Sequence, residues 1–148
     1  MPSEYYERFG RIKDVEREFV AVRLAMNHLM GVANSDPAIL SSIEARDLRE
    51  ASERLEGTYI IRLFAEFESS LRSFWAISRS SQPKTRDLID GVAALTGVSV
   101  DEKSDVHSVR EYRNSLIHER EQQVLEISLS DARHTLCRFF RRLAARWR

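Results

Sequence analysis

Apolar residues recur at helical spacing along nearly the whole chain. They return every three or four positions, which is typical of the buried stripe of an amphipathic helix. The only alternating stretches, residues 98–100 and 124–129, are too short to found a sheet. The pattern therefore predicts an all-α chain.

The first predicted helix starts after Ser3 as its cap and stops around Gly31 to Asn34. Its inward positions are Tyr5, Phe9, Ile12, Val15, Phe19, Val22 and Met26. The Asp36-Pro37 pair then indicates a cap followed by a first-turn proline.

The second predicted helix, residues 45–78, is the main core helix. Its apolar stripe advances by four, three, four and three residues through Ile60, Phe64, Phe67, Leu71 and Phe74. Gly57 lies inside this helix at a cost of up to about 1 kcal/mol relative to alanine, which indicates a close neighbour there. Residues 78–85, which contain Gln82-Pro83, form the clearest break.

A short third helix is predicted over residues 86–95, with Thr85 as its cap. Gly97 stands just past its end, where a left-handed residue is usually required. The fourth helix is predicted to begin after Ser104, to run over 105–119 and to fray through 121–123.

The last predicted helix follows Ser130 as its cap and extends to the end of the chain. One face of it carries Leu136, Phe140, Leu143 and Trp147. The same segment holds a run of arginines with no acidic residue among them: Arg133, Arg138, Arg141, Arg142, Arg146 and Arg148. We expect a solvated cationic face here, with guidance of RNA as the less favoured alternative.

Composition describes one ordinary globular domain, residues 1–148. With 148 residues, 43% hydrophobic and 31% charged, the chain can bury a core without a metal or a disulfide. The 23 basic and 23 acidic residues give zero net charge, which excludes a globally basic arm for nucleic acid or membranes. Any site for a polyanion must therefore be local.

Cys137 is the only cysteine, so neither an intramolecular disulfide nor a cysteine-based zinc site is available. No segment looks like a secretion signal or a membrane span. These features predict a cytoplasmic protein that makes no membrane contact.

The fourth predicted helix carries the residues with chemical potential. Its apolar face holds Val109, Tyr112 and Leu116, and the opposite face holds His107, Glu111, Asn114 and His118. Arg113 falls beside the apolar face, where a guanidinium must find a partner, reach solvent along its stem or perform a function.

The string Tyr112-Arg113-Asn114-Ser115-Leu116-Ile117-His118 resembles the Arg-Asn-x-x-x-His motif of the HEPN superfamily. Residues 58–71 likewise resemble the long second helix of bacterial HEPN proteins. The resemblance implies an all-α, HEPN-like bundle of about five helices with two long antiparallel helices.

The resemblance also implies an activity: a metal-independent endoribonuclease, as in toxin–antitoxin or defence systems, that needs no cofactor. The 2′-hydroxyl of the RNA is then the nucleophile, His118 moves a proton and Arg113 stabilises charge on the phosphate. Asn114 would hold the imidazole or the phosphate in register. Glu68 corresponds to an acidic position that faces the motif helix, although an ion pair with Arg72 is the alternative.

Arg113 and His118 project about 140° apart on an ideal helix. The family resolves this by pairing two subunits around one cleft, so the resemblance implies a homodimer.

Arg110 and Arg120 are weaker candidates for RNA contact. A cognate antitoxin encoded nearby is a further expected partner, but Arg120 stands where many HEPN toxins have a modified tyrosine.

Two other functions remain open from the sequence. One is a non-catalytic helical module that binds a partner protein or a nucleotide through the same groove. The other, a DNA-binding helical protein, is disfavoured by the zero net charge and by the lack of a helix-turn-helix spacing.

Overall fold

The computed structural model describes residues 2–118 and 124–147. Within these residues the chain forms five α-helices, two short 3-10 helices and no strand. The α-helices are α1 (Pro2–Ser35), α2 (Ala45–Ala76), α3 (Thr85–Thr96), α4 (Val100–Ile117) and α5 (Leu129–Arg141). The 3-10 helices are Pro37–Leu40 and Ala144–Arg146. The predicted all-α bundle of about five helices is confirmed.

The two long helices, α1 and α2, pack side by side and antiparallel. Arg23 of α1 donates to the carbonyl oxygen of Ser52 at 2.9 Å, whereas Glu18, five residues earlier, pairs with Arg62. The contacts on α2 advance along the chain as those on α1 go back, so the two helices run in opposite directions.

One buried apolar cluster joins all five helices. The predicted stripe of α2 is buried throughout, from Ile60 to Phe74. The predicted stripe of the last segment is buried too, and its Phe140 stacks on Tyr5 of α1 with ring centroids 5.3 Å apart. The periodicity therefore identified the core positions of α2 and of residues 136–147 correctly, although Leu143 and Trp147 lie beyond the end of α5.

The predicted inward face of α1 is buried only in its first half. Tyr5, Ile12 and Val15 are at most 5% exposed, but beyond Val15 the helix has no buried side chain. The reason is the length of α5, which covers α1 only between Tyr5, at Phe140, and Glu16, at Arg133. The prediction that Val22 and Met26 belong to the core is wrong.

Two helices begin earlier than predicted because other serines cap them. The hydroxyl of Ser99, not Ser104, accepts from the backbone N–H of Glu102 at 3.2 Å, and α4 starts at Val100. The hydroxyl of Ser128, not Ser130, accepts from the N–H of Asp131 at 3.1 Å. In both cases an acidic residue stands three positions after the serine, as in a capping box.

Four other predicted helix ends differ. Helix α1 already includes Ser3, α2 ends at Ala76, α4 ends at Ile117, and α5 ends at Arg141 rather than at the end of the chain. The predicted fraying over 121–123 lies outside the described residues. Thr85 is the first residue of α3 rather than its cap, and its hydroxyl donates to Glu68 instead.

The cap and the glycines predicted at the helix ends and at the helix contact are found in the structure. Asp36 caps the 3-10 helix that Pro37 begins, and Gly97 adopts a φ of 70° at the end of α3, a conformation that side chains with a Cβ rarely adopt. Gly57 lies against Leu116 of α4, whose Cδ2 would be 3.3 Å from an added Cβ. The predicted close neighbour of Gly57 is thus the motif helix.

None of the helices in the described part of the chain combines the length and the apolar character needed to cross a membrane.

Candidate functional site

Helix α4 directs Arg113 onto α2. The Arg113 Nη2 lies 3.4 Å from Glu68 Oε2, and its Cζ lies 4.5 Å from the centroid of the Phe64 ring. The side chains of Arg113 and Glu68 are 19% and 21% exposed. Of the three outcomes expected for this arginine, the structure shows pairing, reinforced by a cation–π contact.

Desolvation dominates the electrostatics of Arg113. Burial lowers the pKa of its guanidinium, the charge of Glu68 opposes that shift, and Arg110 adds to it. The buried Nε atom has no hydrogen-bond partner within residues 2–118 and 124–147. A charged donor without a partner is costly in a protein interior, and since this atom is buried, an acceptor could reach it only after the side chain had moved.

Glu68 joins three parts of the bundle. Its Oε1 accepts from Arg72 Nη2 at 2.7 Å and from the hydroxyl of Thr85 at 2.8 Å, while its Oε2 faces Arg113. Glu68 therefore makes both contacts that the sequence offered as alternatives, one with Arg72 and one with Arg113 of α4. Thr85 is an additional partner that the sequence did not reveal.

His118 lies at the end of α4 as its C-cap. Its backbone has left the helix, with φ −109° and ψ 114°, while its N–H still donates to the carbonyl oxygen of Asn114 at 2.9 Å. Its side chain is exposed. Because His118 is not helical, the angle of 140° taken from an ideal helix does not describe its direction.

The structure brings some of the predicted site residues together. Arg113 contacts Glu68, but no hydrogen bond joins Arg113, Asn114 and His118 side chains within the described chain. Arg120 lies outside the described residues. Arg110 is placed elsewhere: its Nε donates to His107 Nδ1 at 3.2 Å.

His107 belongs to a polar cluster with Asp90 of α3. The His107 Nε2 and Asp90 Oδ1 atoms are 2.7 Å apart. Since Arg110 donates to Nδ1, a neutral His107 ring carries its proton on Nε2 and donates it to Asp90. Burial alone would raise the pKa of Asp90, but the hydrogen bond from His107 and the charges of Lys103 and Arg86 bring it below its ordinary value.

No signal in the sequence pointed to Asp90, since it precedes His107 by 17 positions and lies on another helix. Within residues 2–118 and 124–147, no three His, Cys, Asp or Glu side chains are grouped so as to hold a metal ion.

The arginines of the last helix are largely paired with acidic residues. Arg138 Nη2 lies 2.7 Å from Asp105 Oδ2, Arg142 Nη2 lies 2.8 Å from Glu102 Oε1, and Arg133 pairs with Glu16. The hydrogen bond from Arg142 lowers the pKa of Glu102. The cationic face is therefore smaller than the sequence of α5 alone indicates, because α1 and α4 supply the acidic partners.

No protein-family model matches the chain, and neither does any curated protein or solved structure. The likeness to HEPN proteins accordingly rests on the motif of α4 and on the pattern of α2.

Proposed function

We propose that the protein is a metal-independent endoribonuclease that acts as a homodimer, of the kind found in toxin–antitoxin or defence systems. One observation carries the proposal: α4 holds the guanidinium of Arg113 in a desolvated position, five residues before an exposed His118 at the end of the same helix. A desolvated, pre-positioned cation is the group that best stabilises charge developing on a phosphate.

The reaction needs no nucleophile from the protein. The 2′-oxygen of the RNA attacks the adjacent phosphorus, the bond to the 5′-oxygen breaks, and a 2′,3′-cyclic phosphate and a 5′-hydroxyl result. His118 takes the proton of the 2′-hydroxyl or delivers one to the leaving 5′-oxygen, both of which suit an imidazole at neutral pH. Arg113 binds the non-bridging oxygens, and Asn114 orients the phosphate or the imidazole.

Cleavage of RNA in EDTA tests this proposal. Purified protein should cut single-stranded RNA in EDTA and leave cyclic phosphate ends. His118→Ala should lower the rate by about 100- to 10,000-fold, the usual contribution of a general acid or base. Since His118 is exposed, this variant should keep its helical circular dichroism.

Two further variants sharpen the test. His134→Ala removes an exposed histidine of α5 and should leave the rate unchanged. Arg113→Lys keeps the charge but removes the planar fork, so it should lose activity while retaining the pair with Glu68. Cleavage that requires Mg²⁺, or that survives His118→Ala, would show the proposal to be wrong.

A second candidate function is a helical module that binds a partner protein or nucleotide without cutting RNA. The contacts of Arg113 favour it, because pairing with Glu68 and stacking on Phe64 are also what an arginine does when it only fastens α4 to α2. A protein that is inert in EDTA and in Mg²⁺ but co-purifies with the product of an adjacent gene would establish this function instead.

A further inference from the structure

A cleft of about 720 Å³ opens between the end of α2 and the segment that follows it. Its walls are formed by residues 65–76 of α2, by residues 79–83 and by Leu88 of α3. Its volume lies in the range of about 300–1,000 Å³ typical of small-molecule sites. Glu68 is one of the residues of this wall. Its Oε1 accepts from Arg72, and its Oε2 accepts from Arg113 of α4.

Trp75 provides a fixed aromatic surface in the cleft. Its Nε1 donates to the carbonyl oxygen and the hydroxyl of Ser81, at 3.2 Å each. The opposite end of the indole lies against Gly91 of α3, where an added Cβ would be only 2.7 Å from Cζ3. The ring is thus held at both ends, although the side chain is only half-buried.

Arg79 is the cation of this cleft that is available to a ligand. Its Cζ lies over the Trp75 ring, 5.9 Å from the centroid, and the only hydrogen bond of its guanidinium within the described residues is a long one of 3.4 Å to the carbonyl oxygen of Ser78. Arg72, by contrast, is already engaged with Glu68 and with the carbonyl oxygen of Pro83. A phosphate entering the cleft would therefore meet Arg79.

Further hydrogen-bonding groups line the cleft without partners of their own in the described chain. They are the side chains of Ser69, Ser73, Ser80 and Gln82. Hydroxyl and amide groups both donate and accept, as the edges of nucleobases require. An aromatic plane, a cation and such polar groups are together the means by which proteins hold unpaired nucleotides.

We infer that this cleft binds one nucleotide of a single-stranded RNA, with the base stacked on Trp75 and a flanking phosphate on Arg79. The inference rests on the proposed function, because it supplies the nuclease with a binding site for its substrate strand away from the motif residues. Duplex RNA keeps its bases stacked within the helix and cannot present one to the cleft.

Tryptophan fluorescence tests the inference directly, because the chain has two tryptophans and the other one, Trp147, is buried. In a His118→Ala, Trp147→Phe protein, Trp75 is the only fluorophore of its kind and bound RNA stays intact. A single-stranded oligoadenylate of about six nucleotides, within the usual site sizes, should quench its emission saturably. The same sequence as a duplex should not.

Affinity measured by anisotropy of the labelled oligonucleotide completes the test. Trp75→Ala should weaken binding by about 5- to 150-fold, the equivalent of one lost stacked base, and Trp75→Phe should restore most of it. Arg79→Ala should also weaken binding, whereas Arg46→Ala, an exposed arginine at the far end of α2, should not.

The outcomes separate this inference from the nuclease proposal. Suppose that the wild type cleaves RNA, but that RNA does not quench Trp75 and that Trp75→Ala binds RNA as tightly as the unsubstituted protein. This result would overturn the cleft as a nucleotide site and leave the nuclease proposal standing. Equal quenching by duplex RNA would also overturn it. Saturable quenching by single-stranded RNA without any cleavage would support the cleft and refute the nuclease.

Discussion

Among single side chains, Glu68 shows how one carboxylate connects distant parts of the sequence. Its two oxygens meet Arg72 on the same helix, Thr85 on α3 and Arg113 on α4. An ionised carboxylate accepts about four hydrogen bonds, so these partners do not exclude one another. Spacing along α2 predicts the pair with Arg72, and only the resemblance predicts the contact with α4. Nothing in the sequence predicts Thr85, because its position depends on how the break between α2 and α3 folds.

Asp90 makes the free energy of unfolding of the bundle depend on pH in the acid range. Because its pKa in the folded chain is below the ordinary value of about 3.9, its contribution to stability is complete above that value and is lost as the pH falls through the folded pKa. Asp90→Asn should therefore lower the free energy of unfolding near neutral pH by less than about 1 kcal/mol, since the carboxylate is partly exposed. Urea denaturation at about pH 7 and about pH 3 should show the difference from the wild type shrinking in acid.

Glu53→Gln is the control for this prediction. Glu53 lies exposed in the interior of α2, away from the end of the helix, and its side chain has no hydrogen-bond partner within the described residues. Its effect on the free energy of unfolding should therefore change less with pH. A penalty for Asp90→Asn that is equal at both pH values would contradict the role assigned to the His107 hydrogen bond.

At the scale of helices, apolar periodicity predicts which faces are buried better than it predicts where helices begin. Helix α4 begins at Val100, which is 77% exposed, and residues 101–105 are all polar, so no apolar stripe marks its first turn. The signal that was present is polar: Ser99 with Glu102 three residues later. The extent of α1 burial could not be predicted either, because it is set by the length of a helix more than 100 residues away.

The two glycines at helix contacts should respond oppositely to alanine. At Gly57 the new Cβ meets the flexible end of Leu116, which is half-buried beside an open cleft and can shift, so Gly57→Ala should stabilise the protein by up to about 1 kcal/mol. At Gly91 it meets the pinned Trp75 ring, and Gly91→Ala should cost about 1–3 kcal/mol, as overpacking does.

Urea denaturation compares the two variants, and Trp75 fluorescence reports the second one locally. Gly91→Ala should change the emission of Trp75 in a Trp147→Phe background, whereas Gly57→Ala should not. Equal destabilisation by both alanines would mean that Leu116 is as firmly held as Trp75.

For the whole molecule, the proposed dimer makes a prediction that a single subunit cannot satisfy. Arg113 points onto α2 while His118 lies exposed at the end of α4, so a shared site would take each group from a different subunit. Mixing inactive Arg113→Lys and His118→Ala proteins should then restore activity. Each mixed dimer has one intact site of two, and random exchange gives about half mixed dimers, so about a quarter of the wild-type rate is expected.

The molecular mass in solution and the time course after mixing provide the controls. Light scattering should give twice the chain mass of 17.2 kDa, and activity should return only after subunits have had time to exchange. A monomer, or a mixture as inactive as its components, would remove the shared site from the proposal.

The sequence predicts those residues of the candidate site that lie close together along the chain. Arg113, Asn114 and His118 lie within six residues, so a motif could identify them, and Glu68 lies in a recognisable helix. Asp90 with His107, and Trp75 with Gly91, come together only through packing of α3 against its neighbours. Their positions depend on tertiary structure, which no local pattern encodes.

The half of α1 beyond Glu16 packs on α2 but is not reached by α5. A helix of 34 residues is about 51 Å long at the standard rise, and its buried positions end at Val15. Opening of its outer turns therefore breaks few apolar contacts. That end of α1 can bend or unwind while the aromatic stack of Tyr5 on Phe140 at the other end stays in place.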